Sequence, residues 1–167
     1  MFTIRTLNNI APAGLAKLPE KHFNVDNNAE NPEGIILRSF DMHSMPLNDD
    51  LLAVSRAGAG TNNVPVDRCS QRGIPVFNAP GGNANAVKEL VLTGLLISSR
   101  RIIDGSKWVQ SIADSETLGK DVEAGKKNFV GPEILGKTLG VIGLGAIGVL
   151  VANAALDLGM DVVGYDP

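Results

Sequence analysis

Residues 138–166 restrict this chain more than any other stretch. Thr138-Leu139-Gly140-Val141-Ile142 is a short apolar run with strand character, and Gly143-Leu144-Gly145-Ala146-Ile147-Gly148 follows at once. Ile147, Leu150, Val151, Ala154 and Leu158 then recur on one face of a helix. Gly159 is placed to end that helix, Asp161 to Tyr165 reads as a second strand, and Asp166 stands at its carboxyl end. A G-x-G-x-x-G pattern alone would mean little in a chain with 19 glycines. Here a strand precedes it, a helix follows it, and an acid lies about 18 residues past the last glycine, as a dinucleotide site requires.

Each position in that unit has a physical task. Gly143 permits the tight turn, Gly145 lets a pyrophosphate approach the backbone, and Gly148 lets the helix pack close to the strand. The helix N-terminus offers free N–H groups and a positive dipole end to phosphates. The Asp166 carboxylate accepts hydrogen bonds from ribose hydroxyls and repels a 2′-phosphate, so the expected cofactor is NAD rather than NADP. The competing reading is a purely structural glycine turn.

The first hundred residues alternate short strands with helices, which predicts a parallel sheet covered by helices. Strands are expected at residues 2–7, 23–26, 34–38, 52–56 and 74–78, with helices at 11–18 and 66–72. Pro75 has to sit where no ladder N–H is needed, and Gly73 is a natural helix stop. Asn83 is a candidate N-cap for a helix reaching Arg101. Residues 105–127 are more polar, with two short helices expected around 113–123. In parallel sheets ligands gather beyond the carboxyl ends of strands. Arg38 and Arg56 fall there, and two arginines suit a doubly charged phosphate or carboxylate ligand. Gly58 and Gly60 expose backbone amides beside them, and Gly81-Gly82-Asn83 offers a similar loop. The bland alternative for each arginine is a surface ion pair.

Composition narrows the function classes. The 167 residues carry 15 basic and 18 acidic side chains for a net charge of −3, and aromatics make up 4%. That gives no general electrostatic or stacking case for nucleic acid. The longest stretch without a charge or strong polar group, Leu139 to Ala152, is about 14 residues and glycine-rich, short of the roughly 18–20 that span a bilayer. No segment reads as an export signal. One cysteine, Cys69, fits a reducing compartment, so a soluble cytoplasmic protein is expected. His22 and His43 have no evident acid partner, and one cysteine with two isolated histidines makes no standard metal site. Cys69 reads as a small core residue, Trp108 as a packing anchor, and Lys126-Lys127 as a solvated pair.

Four segments occur in a telling order: Arg38-Ser39, Arg56-Ala57-Gly58-Ala59-Gly60-Thr61-Asn62, Arg72 to Pro80 with Gly73-Ile74-Pro75-Val76-Phe77-Asn78-Ala79 between, and Gly143 to Gly148. Together they resemble the D-isomer-specific 2-hydroxyacid dehydrogenase family, and within it the 3-phosphoglycerate dehydrogenases. The resemblance covers nearly the whole chain. It implies an α/β fold with a flavodoxin-like, parallel-sheet substrate domain over residues 1–101. Residues 102–167 then hold connecting helices and the opening β-α-β of a Rossmann NAD-binding domain. It implies NAD-dependent oxidation of 3-phosphoglycerate to 3-phosphohydroxypyruvate, the first step of serine synthesis, by a homodimer built on the nucleotide domain. It implies that Arg38, Ser39, Arg56 and Asn83 hold a small-molecule substrate. The loop Gly58, Ala59, Gly60 and Thr61 would supply backbone contacts, and Ala146, Ile147 and Asp166 would meet the cofactor with the three turn glycines. The family's catalytic arginine, glutamate and histidine lie beyond the last residue here. No catalytic residue is therefore expected among these 167, and no turnover from them alone. Ala146 stands where the family often has arginine, and Phe40 where some members have a polar residue. Two alternatives stay open: a non-catalytic module binding a phosphorylated acid or nucleotide, or a fragment without function of its own.

Overall fold

The computed structural model describes residues 1–167. The elements run β1 (Phe2–Leu7), α1 (Pro12–Leu15), β2 (Phe23–Val25), β3 (Gly34–Leu37), β4 (Ala53–Arg56), α2 (Val66–Gln71), β5 (Val76–Asn78), α3 (Ala84–Arg100), α4 (Ile102–Ser111), α5 (Leu118–Gly125), a 3-10 turn at Lys126–Phe129, β6 (Thr138–Ile142), α6 (Gly148–Asp157) and β7 (Asp161–Tyr165). They form two compact units, Met1–Asn83 and Ala84–Pro167. The division falls at Asn83 rather than after Arg101, because α3 packs against α6 of the second unit.

The first unit is a five-stranded sheet in the order β2-β1-β3-β4-β5, parallel throughout. Alternation along each strand decides its buried face. Leu7 lies opposite Leu37, and Ile35 lies opposite Val54, so all four share one side of the sheet. They join Met42, Leu47, Leu51, Val64, Cys69 and Ile74 in the core. Leu37, Met42, Val54 and Cys69 are fully buried. Helix α2 contributes Cys69 and stops where Gly73 takes φ +71°. Pro75 stands just before β5, whose register with β4 opens at Val76 opposite Val54, so no ladder N–H is asked of it, while its carbonyl accepts the Val54 N–H at 3.0 Å. Helix α1 is shorter than its expected span. Beyond Leu15 the bonds tighten, Lys17 N–H to Gly14 and Leu18 N–H to Leu15, and Pro19 then halts the run.

In the second unit β6 and β7 pair in parallel, from Thr138 opposite Asp161 to Ile142 opposite Tyr165. Helix α6 connects them and buries Val151 and Ala155. Helix α4 is one that the sequence reading did not foresee; it begins at Ile102, after Arg101 takes a left-handed φ of 49° and breaks α3. The two short helices expected around 113–123 are one, α5. Residues ahead of it form a turn in which the Ser115 and Thr117 hydroxyls both donate to the Asp121 carboxylate. Trp108 is the packing anchor expected, stacked on Phe129 with ring centroids 4.9 Å apart. Gly125 leaves room for that indole, since a Cβ there would stand 2.1 Å from Cζ2. No helix is long and apolar enough to cross a membrane.

Candidate functional site

A crevice of about 640 Å³ opens in the first unit, lined by Asn9, Ile10, Ala11, Pro12, Gly14, Arg38, Ala57, Gly58, Ala79, Gly82 and Asn83. Each segment follows the carboxyl end of a strand: β1, β3, β4 and β5 in turn. Parallel pairing sends all four ends the same way, which is why residues distant in sequence meet there. Arg38 is exposed and makes no ion pair, so its guanidinium is free for an anion. The amides of Ala59, Gly60 and Thr61 have no acceptor within the chain.

Arg56 plays a different part from Arg38. Its Nε–H donates to the Arg38 carbonyl at 3.0 Å, and its guanidinium lies across Gly58, where a Cβ would stand 2.1 Å from Nη1. It braces the loop that carries Arg38 and is absent from the crevice lining. Asn63 braces the same loop, with Nδ2 donating to the Arg38 carbonyl at 3.1 Å and the Phe40 carbonyl at 2.7 Å. Asn8, at φ +73°, accepts from the Ser39 and Phe40 amides at 2.9 and 2.5 Å. The loop 57–60 is tied down as well, by Asn78 Nδ2 to the Ala59 carbonyl and Ala79 N–H to the Gly58 carbonyl.

The crevice thus brings together Arg38, Gly58 and Asn83 of the expected substrate residues. Ser39, Ala59, Gly60 and Thr61 do not line it. Asn83 stands directly ahead of α3. Asn9 to Pro12, with Gly14, form a wall that sequence reasoning did not place in the site, since the helix signal at 11–18 does not say which strand ends that helix will face.

His43 does have an acid partner. Its Nδ1 lies 2.7 Å from Asp41 Oδ1, which also accepts the His43 backbone N–H at 2.9 Å. The backbone hydrogen bond and then the ring hold the Asp41 carboxyl below its ordinary value. The D-x-H spacing of a local side-chain turn was the available signal. The pair is exposed, and neither His43 nor His22 lines the crevice. Burial pushes the Cys69 thiol up, against the lesser pull of Arg68 and Arg72, which suits an inert core residue.

In the second unit the glycine turn meets its three tasks separately. Gly143 has φ +90°, a conformation that disfavours any side chain. A Cβ on Gly148 would stand 1.9 Å from the Gly143 carbonyl oxygen, so only glycine lets α6 start this close to β6. A Cβ on Gly145 would meet no protein atom within 4 Å. That open face, ahead of the free N–H groups of α6, fits a pyrophosphate. Gly143 N–H donates to the Tyr165 carbonyl at 2.7 Å, which sets Asp166 beside the turn.

Known proteins resemble this chain in sequence and fold. The family model of the D-isomer specific 2-hydroxyacid dehydrogenase catalytic domain matches residues 17–158. The D-3-phosphoglycerate dehydrogenase of Archaeoglobus fulgidus is 36% identical over 138 residues, covering 81% of this chain and 24% of that protein. The hydroxypyruvate reductase of Thermotoga maritima is 40% identical over 118 residues, covering 71% of this chain and 35% of the relative. The chain thus spans between about a quarter and about a third of these relatives' length. Among solved structures, the NAD+-bound 3-phosphoglycerate dehydrogenase of Entamoeba histolytica superposes with a TM-score of 0.72 at 25% identity. That match covers 99% of this chain and 54% of the solved one. With the family model matching most of its residues, the chain belongs to the D-isomer specific 2-hydroxyacid dehydrogenases.

Proposed function

We propose that this chain forms the substrate domain and the opening of the nucleotide domain of an NAD-dependent enzyme that oxidises 3-phosphoglycerate to 3-phosphohydroxypyruvate, at the head of serine synthesis. The observation that carries the substrate class is Arg38, an unpaired cation at a crevice over the carboxyl ends of four strands. When bound, NAD supplies the hydride acceptor. The residues here do the holding. Gly143, Gly145 and Gly148 admit the pyrophosphate to the start of α6, with Ala146 and Ile147 as neighbours, and Asp166 accepts from the ribose diol. Arg38 and Asn83 hold the substrate anion against Gly58, with Ser39 and the free amides of Ala59, Gly60 and Thr61 at the edge of the crevice. Arg56 acts on substrate through the Arg38 loop. No general base lines the crevice, so proton removal falls to groups outside this set. A cytoplasmic homodimer completes the reading. The single, buried cysteine and the half-exposed Ile102, Ile103 and Val109 of α4 support it.

Calorimetric titration tests the substrate. Arg38→Ala should weaken 3-phosphoglycerate binding by about 10- to 100-fold, the value of about 1.5–3 kcal/mol for a hydrogen bond to a charged group. D-glycerate binding should change far less. Equal losses for both ligands would move Arg38 to the carboxylate and remove the case for a phosphorylated substrate.

The cofactor has its own test. In Asp166→Ala the ratio of NADP to NAD dissociation constants should fall by about tenfold or more, because a like charge no longer faces the 2′-phosphate. A ratio that stays fixed would detach Asp166 from the ribose.

A further inference from the structure

A second cavity of about 360 Å³ lies in the first unit and shares no residue with the crevice. Arg5, Leu7, Glu30, Asn31, Phe40, Met45, Pro46 and Asn48 line it. Arg5 is unusual there. It stands on the core-facing side of β1, in register with Ile35, where an apolar side chain is the norm. Its only hydrogen bond runs from Nη1 to the Ala29 carbonyl at 3.2 Å, and no carboxylate lies within ion-pair distance. Its Nε is buried without a partner, and so is Oδ1 of Asn48 in the same lining. A half-buried guanidinium with most donors unused is costly unless something completes it.

We propose that this cavity binds a small monocarboxylate with an apolar tail. The carboxylate takes the free face of the Arg5 fork, which matches two parallel N–H···O bonds. The tail lies against Phe40, Met45 and Pro46. The Glu30 carboxylate at the exposed rim opposes a second negative charge, which selects against phosphate and dicarboxylates. A volume at the low end of ligand pockets fits a short acyl chain. The site stands whether or not the crevice takes a phosphorylated acid.

NMR titration of the 167-residue chain decides it, following the Arg5 Nε–Hε and Met45 methyl signals. The probes are 3-methylbutanoate, its neutral amide 3-methylbutanamide, and inorganic phosphate. The acid should give saturable shifts at both signals, with the amide weaker by at least about tenfold, since only the acid forms charged bonds to the fork. Glu30→Gln, a change at an exposed position, should let phosphate compete. Arg5→Met should abolish the response to the acid while its spectrum stays folded. If that variant does not fold, the acid–amide comparison and Glu30→Gln decide alone. Absent shifts, equal binding of the amide, a response to phosphate only, or unchanged acid affinity in folded Arg5→Met would each overturn the site.

Discussion

Gly148→Ala should weaken the second unit and its hold on NAD together. The added methyl carbon would stand 1.9 Å from a backbone oxygen, that of Gly143, and 3.0 Å from the Gly143 carbonyl carbon. A side chain could swing aside, but this obstacle is the turn itself. Helix α6 must back away from β6, and the expected loss is about 3 kcal/mol, the upper end of ordinary overpacking. The same movement withdraws the helix N–H groups from the phosphates, for at least about a tenfold loss in NAD affinity. Gly145→Ala separates the two effects. Its Cβ meets no protein atom, so urea unfolding should stay within about 0.5 kcal/mol of wild type, as for an ordinary surface change. NAD binding should nonetheless fall, because the methyl group fills the face offered to the pyrophosphate. Urea midpoints with NAD titrations on both variants check this. Intact NAD binding in Gly145→Ala would leave the turn a structural device only.

Leu37→Ala should cost the first unit about 2–5 kcal/mol, the range for emptying a leucine's place in a core. Leu37 has no exposed surface and lies opposite both Leu7 and Arg56 in the ladder. The residue after it is Arg38. Slackening that strand end should therefore also blunt anion binding at the crevice, though no contact to ligand is touched. Chemical denaturation measures the first effect, and 3-phosphoglycerate titration of the still-folded fraction measures the second. A loss below about 1 kcal/mol, under the range such sites show, would mean that Leu37 is not packed in the core as described.

The strands and the glycine turn were legible because their signals are local. Ile35 and Leu37 sit in an unbroken apolar run, and the spacing from Gly143 to Asp166 fixes a complete β-α-β. The crevice was half legible. Arg38 and Asn83 stand at strand and loop ends, so their convergence follows from parallel topology alone. Asn9 to Pro12, with Gly14, could not be placed in the site, because that wall exists only after β1 has paired with β3. The division between the roles of Arg38 and Arg56 was equally hidden. Two identical side chains at two strand ends part company only when one finds the other's carbonyl. Helix α4 escaped because a left-handed Arg101 is the break, and arginine carries none of the stop signal that glycine does.

The rung from Gly143 N–H to the Tyr165 carbonyl has a consequence for chain length. It closes a ring of sequence that begins at the turn, runs through α6 and returns along β7. One residue inserted within α6 would swing everything after it by about 100° around the helix axis. Val151 and Ala155 would no longer both face the strands, or else β7 would slip one place and turn its side chains over. Neither outcome returns Asp166 to the turn. A change of length inside α6 therefore breaks the ring, whereas one before Thr138 or after Asp166 leaves it untouched.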